Sequence, residues 1–72
     1  MDNEHKKELQ PHQQRVVDER FELNDKATKL NDFIGNNPLF ENIASDEQED
    51  LKVQLDIMFQ YIEVLDRRIL RF

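Results

Sequence analysis

Residues 45–72, SDEQEDLKVQLDIMFQYIEVLDRRILRF, place Leu51, Leu55, Met58, Ile62, Leu65, Ile69 and Phe72 at alternating steps of four and three. That period is the apolar stripe of one helix face. Ser45-Asp46-Glu47-Gln48 matches a capping box, in which a Ser hydroxyl and a Gln side chain satisfy orphan backbone N–H groups reciprocally, so the spacing predicts a helix over 46–72. Asp46, Glu47, Glu49 and Asp50 crowd its first turns and Arg67, Arg68 and Arg71 its last, each set opposing the helix dipole. A second row, Val53, Ile57 and Val64, lies two residues from the first and therefore about 200° around the helix. Phe59, Tyr61 and Leu70 widen the apolar surface further. One partner helix covers one face, so this pattern predicts an obligate homo-oligomer.

Upstream, Gly35-Asn36-Asn37-Pro38 is a cluster of turn-formers holding the single Gly of the chain. Before it, Val16, Leu23, Ala27, Leu30 and Ile34 follow the same helical spacing, with Arg20 at the one polar step and Val17, Phe21 and Phe33 alongside. Pro11 suits the first turn of this helix, and Gly35 suits the left-handed position just past its end, so a helix is expected over 11–34. The turn, 35–45, is expected to hold one short turn capped by Asn37, with Leu39, Phe40 and Ile43 as an apolar plug. Residues 1–10 read as a short helix or an arm docked by Leu9. The fold class is all-α: residues 1–72 form one helical domain with an N-terminal arm or short helix and an antiparallel two-helix hairpin.

Seventy-two residues with no Cys leave little room for a self-sufficient core and none for a disulfide, which also points to self-association. Ten basic against 16 acidic residues, a net charge of −6, disfavour DNA or RNA polymers. The longest apolar run, Ile57-Met58-Phe59, excludes a membrane helix, and the charged N-terminus has no signal-peptide core, so the expectation is a chain that stays in its compartment of synthesis. There is no Gly-rich phosphate loop, no nucleophile elbow and no His-Glu-x-x-His, and the two His both lie near the N-terminus. We therefore expect no enzyme, no metal and no cofactor.

Charge placement is more informative than charge total. In an antiparallel hairpin, Lys6, Lys7, His12 and Arg15 approach Arg67, Arg68 and Arg71, whereas residues 41–50 hold five acids and no base. Lys26 and Lys29 add ammonium groups along the first helix. This cationic end suits an anionic ligand, aided by the positive end of the first helix. The competing reading is that the Arg residues complement the helix dipole and the Lys residues pair with neighbouring acids.

The stretch Pro11-His12-Gln13-Gln14-Arg15-Val16-Val17-Asp18-Glu19, followed by Leu23, Lys26, Lys29-Leu30 and Phe33-Ile34, and then Glu49, Leu51, Gln54-Leu55, Met58, Tyr61 and Arg68-Ile69, resembles the anti-CBASS cyclic-oligonucleotide sponges of tailed phages. The likeness runs from about Pro11 to the C-terminus and rests on the order of short motifs. It implies a compact helical homohexamer in the host bacterial cytoplasm. Such a protein sequesters cyclic dinucleotides, such as cyclic GMP-AMP, and cyclic trinucleotides, such as cyclic triadenylate, so that the CBASS effector is never switched on. The resemblance implies separate pockets at different subunit interfaces. Lys26 matches the dinucleotide pocket, with His12 and Arg15 assigned beside it, and Thr28 and Arg67 match the trinucleotide pocket, with Arg68 beside them. In some relatives an aromatic ring near the start of the first helix stacks on a base; here His12 is the nearest counterpart.

Each residue also has a plainer reading. Thr28 as a hydroxyl bonded to its own turn, Tyr61 and Met58 as packing, and Arg67 and Arg68 as partners of Asp66 all compete with ligand contact. The alternative function is a helical adaptor or assembly module binding a protein partner through the second apolar face.

Overall fold

The computed structural model describes residues 8–72. Helix α1 spans Pro11–Asn36, a 3-10 turn spans Pro38–Asn42, and helix α2 spans Ser45–Leu70. No strand occurs among the described residues, as the composition predicts. The expected contacts of Lys6 and Lys7, and most of the expected arm, lie outside the described residues. Residues 8–10 form no helix, and Leu9 is exposed.

Helix α1 starts where Pro11 predicts, and its first orphan amide groups are served locally. Gln10 N–H donates to Gln13 Oε1 at 2.9 Å, while the Gln13 and Gln14 N–H groups both donate to the Gln10 carbonyl at 2.9 Å. Its end departs from expectation. Gly35 takes no left-handed conformation but continues the helix, which runs to Asn36. The chain leaves the helix at Asn37, whose extended backbone (φ −96°, ψ 119°) is the conformation that a following proline imposes. Pro38, rather than Gly35, sets the stop. Asn37 then caps the 3-10 turn as predicted, its side-chain oxygen accepting from Leu39 N–H at 2.9 Å.

The expected capping box at Ser45 is absent in that form. Ser45 is already helical, with Ala44 before it, and the Gln48 side chain donates to the Phe40 carbonyl at 3.0 Å and the Ile43 carbonyl at 2.9 Å. The Phe40 carbonyl also accepts from Ile43 N–H at 3.1 Å, so the Gln48 amide adds a second donor there and serves the Ile43 carbonyl as well, instead of reaching back to the local N–H. Of the expected plug, Phe40 is buried and meets Phe33 edge-on, with ring centroids 6.0 Å apart, and Lys52 Nζ lies 5.9 Å from the Phe40 ring. Ile43 is half-buried, and Leu39 points to solvent.

The short connection folds α2 back along α1. Val16, Ala27, Phe40, Ile62 and Leu65 are buried, with Ala27 and Leu65 fully so. At the polar step of the α1 stripe, Arg20 reaches across to Asp66, Nε to Oδ1 at 2.7 Å and Nη2 to Oδ2 at 3.3 Å. Nearby, the Tyr61 hydroxyl donates to the Glu19 carboxylate. The chain measures 56 × 19 × 16 Å. Its described residues hold two long helices lying side by side, so each helix has one face on its partner.

Two tests follow from this geometry. The Asp66 carboxyl is held below its ordinary value by the hydrogen bond from Arg20, against a smaller opposing effect of burial and with a further coulombic contribution. The folded chain thus binds fewer protons there than the unfolded chain, so this stabilisation is complete above about pH 4 and is lost as pH falls through the lowered value. In urea unfolding, the gap between the native protein and Asp66→Asn should be widest at neutral pH and shrink toward pH 2. Gly35 is helical, and a Cβ there meets nothing within 4 Å. Gly35→Ala should therefore raise stability by about 0.5–1 kcal/mol, read as a higher urea midpoint.

Candidate anion-binding site

Arg20 bridges to Asp66 near the far end of α2, which places the first turns of α1 beside the last turns of α2. His12 and Arg15 therefore share one end of the hairpin with Arg67, Arg68 and Arg71, as the charge pattern predicts. The five acids of residues 41–50 lie at the opposite end.

Position on each helix sorts the candidates further. Arg15, Glu19, Glu22 and Lys26 follow steps of four, three and four and so form one row along α1, with His12 three residues before Arg15. The Tyr61–Glu19 hydrogen bond joins this row to α2. Arg68 lies seven residues beyond Tyr61, hence on the same side of α2. One broad face thus carries His12, Arg15, Lys26 and Arg68, with the Glu19 and Glu22 carboxylates between the α1 cations. All four of these candidates are exposed.

Thr28 and Arg67 are placed differently. Thr28 is two residues past Lys26 and so points nearly the opposite way, and it lies about 12 Å along α1 from Arg20, whose partner Asp66 adjoins Arg67. One chain does not bring Thr28 and Arg67 together, and Arg68 sits with the Lys26 group rather than with Thr28.

The expected competition for Asp66 is resolved across the hairpin. Arg20 takes that carboxylate, and among the described residues no ion pair engages Arg15, Lys26, Arg67, Arg68 or Arg71. Lys29 instead pairs with Asp25 at 3.1 Å. Sequence reasoning did not assign Tyr61 the role of joining the two helices on this face. Its seven-residue spacing to Arg68 was the available signal.

Two depressions of the surface lie elsewhere. One is bounded by Ile34 to Pro38 and Glu41, the other by Asp50, Val53, Gln54, Ile57 and Met58, and neither is lined by Lys or Arg. Among the described residues no cluster of His, Cys, Asp and Glu is arranged to hold a metal ion. No helix among them is long and apolar enough to cross a membrane.

Residues 10–71 match the Sequestin family. The chain belongs to the Sequestin family. No curated protein and no solved structure matches it. For this Sequestin family member, the mixed row on α1 yields a direct test. Glu19→Gln removes a negative charge between two cations, so inorganic pyrophosphate should bind up to about fivefold more tightly at low salt, with the gain vanishing at high salt; isothermal titration measures both.

Proposed function

We propose that this Sequestin family member binds and sequesters cyclic di- and trinucleotide second messengers in the host bacterial cytoplasm, and thereby blocks activation of CBASS effectors. The observation that carries the reading is the set of exposed cations without acidic partners among the described residues, Arg15, Lys26 and Arg68, spread along one face over about 16 Å of α1. The family name is compatible with sequestering a ligand. The phage-sponge resemblance supplies the ligand class.

A cyclic dinucleotide has two phosphate charges and two base faces. Arg15 and Lys26 supply donors for the phosphates, Arg68 adds a guanidinium plane, and His12 supplies a ring for a base. The trinucleotide site is the work of several copies in this reading: Thr28 and Arg67 from different protomers converge on a ligand of approximate threefold symmetry. A homohexamer, as the resemblance implies, provides such axes. Sequestration requires tight equilibrium binding and abundance and no catalysis, so we propose a binding protein without a catalytic residue, metal or cofactor.

The specific observation favouring the adaptor alternative is the exposed apolar row on α2, which includes Val53, Ile57 and Val64. Thermal shift separates the two. A ligand at 100 times its Kd stabilises the fold by about 2.7 kcal/mol, which for a domain of this size is about 10–20 °C. Cyclic GMP-AMP and cyclic triadenylate should each produce a shift of that order. Lys26→Ala should abolish the first and Arg67→Ala the second, and absence of any shift at high micromolar ligand refutes sequestration.

A further inference from the structure

Beyond the row of apolar residues itself, the outer face of α2 has a pattern that includes its charges. Asp46, Asp50, Val53, Ile57, Gln60, Val64, Arg67 and Arg71 follow each other at steps of four and three without a break, and all eight are exposed. This is the spacing of a coiled-coil seam. Its members lie two residues past the inward seam, Val53 after Leu51, Ile57 after Leu55, Val64 after Ile62 and Arg67 after Leu65, so the row faces away from α1. Among the described residues nothing covers it, since α1, the other long helix, packs on the inward seam. A groove bounded by Asp50, Val53, Gln54, Ile57 and Met58 runs along it.

The order of the row is acids, then an apolar centre, then Arg. We infer that this face is a two-fold seam between two copies of the chain, with the α2 helices antiparallel and centred between Ile57 and Gln60. In that register Val53 of one copy meets Val64 of the other and Ile57 meets Gln60. Asp50 meets Arg67, and Asp46 meets Arg71. Each contact occurs twice, as an isologous interface requires. The opposite, parallel arrangement sets Asp50 on Asp50 and Arg67 on Arg67, placing like charges in the same layer. Charge complementarity thus selects both the occupant, a second copy, and its direction. Gln60 is the lone polar side chain of the central layers, and its amide is held by Asp56 of its own helix at 3.0 Å.

The inference does not depend on a nucleotide ligand. It gives Arg67 a protein partner, whereas Arg68, one residue on and about 100° away, stays with Tyr61 on the cationic face.

Charge exchange tests the direction and sulfur cross-linking tests the register. Asp50→Arg or Arg67→Asp alone should raise the dissociation constant measured by sedimentation at least about tenfold, and the Asp50→Arg/Arg67→Asp double variant should restore it. Since the chain has no Cys, Val53→Cys and Val64→Cys variants give a clean second readout. Under oxidation a mixture of the two should form the Val53→Cys to Val64→Cys cross-link, and neither variant alone should cross-link efficiently. Cross-linking of Val53→Cys to itself, self-association unaffected by either charge reversal, or a native protein sedimenting as an 8.7 kDa monomer would each overturn the inference. Circular dichroism of each variant confirms that loss of association is not loss of helix.

Discussion

Two helices side by side bury one face each, and every other property of this chain is a response to that limit. The inward stripes of α1 and α2 bury Val16, Ala27, Ile62 and Leu65, and the 3-10 turn adds Phe40. Phe21, Ile57 and Leu70, by contrast, remain 74%, 57% and 85% exposed, so the chain carries more apolar side chains than its own fold covers. A monomer with this balance is marginal. The same thinness that limits stability leaves nearly the full length of both helices available for contact.

Within the hairpin, polar contacts fix what the small core leaves loose. Arg20 occupies a step of the apolar stripe and links to Asp66 by two hydrogen bonds, which determines how far one helix slides along the other. The Tyr61–Glu19 bond fixes the same register from the opposite side. At the closed end, Gln48 binds the carbonyls of Phe40 and Ile43 and so ties the start of α2 to the 3-10 turn. These bonds are few, but they lie at both ends and both sides of the interface.

Features written in local spacing were legible in the sequence. The seam from Leu51 to Ile69, the start at Pro11 and the Asn37 cap all depend on neighbours within a few residues, and all are present. Where two local signals compete, sequence reading picked the wrong one: Gly35 is a common helix terminator, but Pro38 acts on Asn37 more strongly. Ser45 to Gln48 spell a capping box, yet the carbonyls that claim Gln48 come from the preceding turn. The cationic end followed from topology alone. Its division into a Lys26 face and a separate Thr28 side did not, because that requires knowing that Tyr61 meets Glu19 and Arg20 meets Asp66, a pairing that spans more than forty residues.

The antiparallel course of the hairpin also governs how the molecule can be handled. The start of α1 and the end of α2 emerge at the same end, beside Arg15, Arg67 and Arg68. An affinity tag, fluorophore or surface tether attached just after α2 therefore lands next to those cations, and an acidic one competes for them. The exposed 3-10 turn around Glu41 and Asn42 is the remote attachment point, about the length of a helix away, roughly 39 Å, and a probe placed there reports on the open end without occupying it.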